Sequence, residues 1–231
     1  MTSLAASPRA GAAVSAGERT TTRAWAWAGL AAFAVGVLVT WSVQFVYGMD
    51  DLDAGGQQLY DALDKDSTEL LYRVTSGLGY LVVAALVVFG VGFRRFLEAR
   101  SEGRSDIPNI IFGSILVTAA ALGLAMSFRA QVFDGFTAYQ DSTASHITIN
   151  RLQQDSVLAA WATMLAATLA TAVGGFRSNL FPRAIAWFSA LMSAFITVFC
   201  LVGGAFPANI PALLWLGVIS AWAIRASGRT A

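Results

Sequence analysis

Residues 74–93 read VTSGLGYLVVAALVVFGVGF and are followed at once by Arg94 and Arg95. Twenty successive residues without a charged side chain are enough for one crossing, because a helix needs about 20 apolar residues to traverse a hydrocarbon core of about 30 Å. The arginine pair that follows is the kind of charge that stays on the cytoplasmic face, because translocating it is unfavourable. Five more runs share this character: about Ala24 to Val46, Ile107 to Phe128, Val157 to Val173, Ala184 to Val202 and Ile210 to Ile224. None carries Asp, Glu, Lys or Arg in its middle. Pro108, Pro182, Pro207 and Pro211 sit at the ends of runs, where proline starts a helix rather than breaking it. The fold class expected is all-α, a polytopic bundle of six transmembrane helices. The first run is longer than the roughly 7–15 residues of a signal-peptide core, so it reads as a span and not as a cleaved leader.

Composition agrees. The chain is 56% hydrophobic and 13% charged, against about 45–50% and about 25% in ordinary globular chains. A single water-soluble core of this length does not hide that much apolar surface. The net charge of +1 offers no basic face for nucleic acid. One cysteine, Cys200, and one histidine, His146, exclude an internal disulfide, a paired-histidine metal site and bis-histidine haem ligation. No cofactor is implied. The partner implied first is the lipid bilayer.

Arginine and lysine orient the bundle. Eleven of the 15 basic residues fall in the N-terminal tail, the loops near 94–106 and 174–183, and the C-terminal tail; Lys65, Arg73, Arg129 and Arg151 fall on the other side. The asymmetry predicts an N-in, C-in protein of the plasma membrane with both termini cytoplasmic. Residues 1–23, rich in Ala, Ser, Thr and Gly, read as a disordered cytoplasmic tail, and 226–231 as a short second one. Trp25, Trp27, Trp187 and Trp222 fall near the cytoplasmic ends and Trp41 and Trp161 toward the outer ends, where amphipathic rings favour the interface; Trp215 fits that belt poorly and is expected inside.

Two outer loops are long enough to carry function. The first, about 48–73, holds Asp50, Asp51 and Asp53, and its second part, 57–72, has the spacing of a short amphipathic surface helix. A cation site needs converging oxygens, but the spacing of an EF-hand is missing, and a solvated acidic loop accounts for the run. The second, about 129–156, contains Asp141, His146, Gln154 and Asp155. His146 with an aspartate partner has the inventory of a general base, but no nucleophile motif accompanies it. Arg129 and Arg151 stand at span ends, where an anion clamp competes with interfacial snorkelling or pairing with loop carboxylates. Asp50, Arg73, Arg129, His146 and Gln154 are the candidate ligand-binding residues; no catalytic or metal residue is assigned.

Within the spans only neutral polar groups occur, among them Thr40, Ser42, Gln44, Ser114, Thr118, Thr163, Thr168 and Ser193. That argues against proton coupling and charged-ring conduction. A mid-membrane cavity lined by Gln44, Ser114, Thr118 and Thr163 is what a conduit for a neutral solute requires. Small residues recur at four-residue spacing, as in Ala162, Ala166, Ala170 and Gly174, and let helices approach closely, within the bundle or between copies or partner proteins. Residues 91–94 and 174–177 share a Gly-Phe-Arg ending, a short match compatible with duplication.

The stretch from Leu71 to Tyr80, the close of its span at Phe93-Arg94-Arg95, and Met126-Ser127-Phe128-Arg129-Ala130 at the end of the third span resemble multi-pass membrane proteins of actinobacteria. The Ala/Val/Arg-rich composition and the single lysine fit a high-GC genome. The resemblance covers roughly residues 24–225 and implies no catalytic residue, since those families carry no assigned activity. The leading expectation is a non-enzymatic accessory, sensory or scaffolding component. The alternatives are a transporter or channel for a neutral or hydrophobic solute, and a membrane enzyme with an outer-face polar site.

Overall fold

The structure, a computed structural model, describes residues 23–45, 66–138, 143–202 and 208–228. These form seven helices: α1 (Ala24–Phe45), α2 (Asp66–Ser101), α3 (Ile107–Ala138), α4 (Thr143–Ala162), α5 (Leu165–Arg177), α6 (Arg183–Val202) and α7 (Asn209–Ser227). No strand occurs among the described residues. Six segments are long and apolar enough to cross a bilayer, and the fourth of them, Leu152–Arg177, is built from α4 and α5 together. The chain is therefore a multi-pass, all-helical membrane protein.

Helices run past the expected spans: the fourth, expected over 157–173, covers Leu152–Arg177, and the second and third are extended as well. The second was bounded near Val74, but α2 starts at Asp66, so the described part of the expected surface helix over 57–72 is continuous with the span. The third was bounded at Phe128, but α3 runs on to Ala138 and carries Arg129 inside the helix. Residues 46–65, 1–22 and 229–231, including Asp50 and nearly all of the expected tails, lie outside the described residues.

The turns are set by local chemistry. α2 closes where Glu102 and Gly103 take positive φ of 51° and 70°, and the Gly103 amide donates back to the Glu98 carbonyl at 3.3 Å. The Ser105 hydroxyl accepts the Ile107 amide at 3.2 Å and opens α3. At the next basic turn the amides of Ser178 and Leu180 both donate to the Gly174 carbonyl, with Asn179 at φ 50°.

Neighbours run α1, α2, α3, then α4 and α5, α6 and α7, and α7 packs back on α1 to close the bundle. Arg94, Arg95, Arg100, Arg104, Arg177 and Arg183 gather at one end, termed the basic end. Both described chain ends lie there too: the Arg23 guanidinium abuts Gly228. An aromatic clasp holds that end. The Trp25 ring lies 6.0 Å from Phe89 and from Phe93 and 5.6 Å from Phe96, while Trp222 meets Phe181 at 5.2 Å. The Arg100 guanidinium stacks 5.3 Å over Phe96 and 5.6 Å over Trp222. Gly92 lets Trp25 in, because a Cβ there overlaps the first atoms of the Trp25 side chain. The second Gly-Phe-Arg differs: Gly175 admits Ala186, and Phe176 is exposed against Trp187 whereas Phe93 is buried.

Trp27, Trp41 and Trp187 are exposed, as interfacial rings should be. Trp215 is buried as expected, its indole N–H donating to Ser189 Oγ at 3.1 Å. Trp161 departs from expectation. It is buried and donates to Thr40 Oγ1 at 3.0 Å, because the hydroxyl on α1 satisfies inside the bundle the one polar group that would have drawn the ring to the interface.

Candidate polar binding site

The end opposite the basic loops is built differently from the rest. Three antiparallel registers describe it. Trp25 at Gly92 and Gly29 at Phe89 align α1 with α2; followed outward, that alignment sets Ser76 opposite Ser42. Gly36 at Leu213 and Gly217 at Phe33 align α1 with α7, which sets Asn209 opposite Thr40. Ser114 at Ala167 and Thr118 at Thr163 align α3 with the fourth span, which sets Gln153 opposite Phe128, the neighbour of Arg129. Ser42, Ser76, Asn209 and Thr40 thus share a layer, and Gln153 stands just outward of it.

Arg129 reaches into that layer. Its Cα lies about 33 Å along α3 from Ile107 at 1.5 Å per residue, the depth where a bilayer's second interface begins. Arginine at such a depth ordinarily snorkels outward. Arg129 is instead wholly buried, at 0% exposure. A helical side chain leans toward its own N-terminus, and α3 runs from the basic end, so Arg129 leans into the bundle. Its Nη2 donates to Ser42 Oγ at 3.1 Å, the Ser42 hydroxyl donates to the Val39 carbonyl at 2.7 Å, and the guanidinium stacks 4.4 Å from the Tyr72 ring centroid. Guanidinium does not give up its proton in proteins, so a fixed positive charge lies inside the bundle.

The same end of the bundle holds polar atoms with no hydrogen-bond partner. Ser76 Oγ, both amide atoms of Gln153 and Asn209 Oδ1 are buried in this state. Outside this end, Ser220 Oγ is the one other buried side-chain oxygen of that kind among the described residues. Buried polar groups are nearly always satisfied, and each exception asks for an explanation.

Of the five candidates from sequence, Arg129 is at the centre. Arg73 is exposed on α2, and its neighbour Tyr72 takes the inward place. Gln154 is half-buried, while Gln153 is at 0% exposure. Asp50 and the His146 side chain lie outside the described residues. The face of α4 was the missed signal: Gln153 stands four residues before Val157 and eight before Trp161, both buried, so it belongs on the core face and Gln154 does not.

The mid-bundle hydroxyls do meet, but they satisfy one another. Ser114 Oγ donates to the Thr163 carbonyl at 2.7 Å and accepts the Ala167 amide at 3.1 Å; Thr118 Oγ1 and Thr163 Oγ1 are 2.6 Å apart. Ser193 Oγ donates to Thr168 Oγ1 at 2.8 Å across α5 and α6. The Gln44 side chain lies outside the described residues. An apolar groove of about 460 Å³ between α5 and α6, lined by Leu169, Phe176, Ala190 and Ala194 among others, flanks the bundle. Comparison with family models, curated proteins and solved structures finds no match, and the geometry of the Arg129 layer is read on its own terms.

Proposed function

We propose that this protein is a non-enzymatic membrane component that acts by binding, with the Arg129 layer as its site and segments 48–73 and 129–156 as the surfaces that meet a partner. The observation supporting this reading is the wholly buried Arg129, held by Ser42 and Tyr72. An ionisable group turned toward the interior of a membrane bundle marks function by default. The layer draws on α1, α2, α3 and α7, so occupancy is felt on four helices at once, which suits a sensory, scaffolding or accessory role.

The site faces outward from the cell in this reading, with the basic end and both termini cytoplasmic, as the positive-inside rule places them. In a Cys200→Ala background, Asp51→Cys is expected to react with a membrane-impermeant maleimide in intact cells, and Glu102→Cys only after permeabilisation. The reverse pattern inverts the protein and the assignment.

A second reading has one observation in its favour. The fourth span is interrupted at Thr163–Met164, between α4 and α5, and discontinuous helices line the paths of many transporters. Stopped-flow swelling of proteoliposomes in a glycerol gradient separates the two. The binding reading expects the rate of protein-free vesicles; a rate tenfold higher establishes a conduit and removes the binding reading.

A further inference from the structure

We infer that the groove between α5 and α6 holds one acyl chain of an anionic phospholipid, whose headgroup lies against Arg177 and Arg183 at the basic end. The site is separate from the Arg129 layer and rests on other residues. The groove encloses about 460 Å³, and α6 is the least buried of the six candidate spans, so this face meets lipid. Its walls present hydrocarbon. Ser193 and Thr197 are the hydroxyl-bearing residues that line it, and both hydroxyls are taken. Ser193 Oγ lies 2.8 Å from Thr168 Oγ1 and from the Ser189 carbonyl, and Thr197 Oγ1 donates to the Ser193 carbonyl at 2.9 Å. A polar solute would lose its hydrogen bonds to water there and gain none, whereas an acyl chain has none to lose.

Helix phase puts a cation at the basic end of each wall. On α5, Leu169 and Val173 line the groove, and Arg177 is the next residue of the same four-residue row. On α6, Ala190 and Ala194 line it, and the row begins with Arg183 and Trp187, spaced by four and then three residues. The two rows are held together at that end, where the Phe176 and Trp187 rings meet edge to face at 4.9 Å. Arg177 and Arg183 are exposed, and neither takes part in an ion pair among the described residues. A basic pocket between transmembrane helices suits an anionic headgroup.

Depth selects a chain from one leaflet. Leu169 lies about 12 Å along α5 from Arg177, and Val198 about 22 Å along α6 from Arg183. These depths bracket the midplane of a hydrocarbon core about 30 Å thick. The groove thus runs from the basic interface to the middle of the bilayer. A second copy of the chain suits it less. A two-fold axis along the bilayer normal brings Arg177 and Arg183 against the same residues of the partner, and residues 174–187 contain no carboxylate to separate them. Like charges set against one another at an interface are costly.

The full chain in detergent is titrated with phosphatidylglycerol and phosphatidylcholine, and bound lipids are counted by native mass spectrometry. Wild type is expected to hold one phosphatidylglycerol about tenfold more tightly than phosphatidylcholine. The Arg177→Gln, Arg183→Gln double variant is expected to lose that preference while binding phosphatidylcholine as wild type does. Ala194→Phe, which fills the groove from an exposed position, is expected to weaken the phosphatidylglycerol site about tenfold. Arg95→Gln with Arg104→Gln removes two exposed cations of the same end away from the groove and is expected to leave the site intact. The inference is overturned if wild type shows no preference, if the Arg95, Arg104 pair abolishes the preference as fully as the Arg177, Arg183 pair, or if Ala194→Phe binds phosphatidylglycerol undiminished. A dimer in the same spectra that Ala194→Phe converts to monomer overturns it as well, and gives the groove to a second copy.

Discussion

Gly92→Ala is expected to lower the thermal unfolding midpoint of the purified protein by about 10 °C, from an overpacking cost of about 3 kcal/mol. The added methyl overlaps Cβ and Cγ of Trp25. Those atoms sit next to the backbone, so the indole cannot swing aside; α1 itself has to move. Trp25 also bridges to Phe89, Phe93 and Phe96, so the shift propagates through the clasp at the basic end. The test is a double-mutant cycle. In a Trp25→Gly background Gly92→Ala should cost almost nothing, because both of the atoms it strikes are gone. Gly113 is the control: no atom lies within 4 Å of its would-be Cβ. Gly113→Ala in mid-helix should therefore stabilise, by up to about 1 kcal/mol of helix propensity. Equal losses at Gly92 and Gly113 would mean that helix approach at Gly92 is not what holds α1 to α2.

How far the sequence discloses this molecule depends on which physical signal each feature writes. Spans are written in long runs of apolar residues, and six of them are present where hydropathy puts them. Trp215 could be placed inside because it sits mid-run, away from either interface. The end of a span is written more faintly. Charge at Arg129 looks like a boundary, since a lone cation usually marks the water; only the path of α3 beyond it, and the lean of its side chain toward Ser42, reveal a buried group. Tyr72 and Arg73 are adjacent and both plausible at an outer face. Helix phase decides between them, and the phase is readable only once α2 is known to be continuous from Asp66. The choice between Gln153 and Gln154 turns on the same phase, 100° of helix rotation apart. The interruption of the fourth span leaves no mark at all, because neither Gly nor Pro stands at Thr163–Met164 and its cause lies on another helix.

That cause is Ser114, and Ser114→Ala is expected to destabilise the protein by about 2 kcal/mol, the cost of leaving buried backbone groups unsatisfied. In an unbroken helix the Ala167 amide donates to the Thr163 carbonyl. Here the Ser114 hydroxyl stands between them, donating to the Thr163 carbonyl at 2.7 Å and accepting the Ala167 amide at 3.1 Å. A side chain inserted into the hydrogen-bond ladder is a recognised cause of a helix kink. The adjoining turn tightens, with the amides of Thr163 and Met164 donating to carbonyls three residues back, Ala160 and Trp161. Removal of the hydroxyl offers the ladder a chance to re-form and straighten the span. The anchoring of the two halves opposes it: Trp161 ties α4 to Thr40 of α1, and Thr168 ties α5 to Ser193 of α6. Straightening has to break one of these, so the groups are left unpaired instead. Thr171→Ala, which loses only a bond to its own helix at the Ala167 carbonyl, should cost no more than about 0.5 kcal/mol. Ser114→Thr keeps the hydroxyl and should recover most of the loss. Unfolding free energies from reversible SDS titration of the three variants decide the matter. If Ser114→Ala proves as mild as Thr171→Ala, the span heals without resistance, and the interruption is a local accommodation rather than a joint imposed by the packing of its two halves.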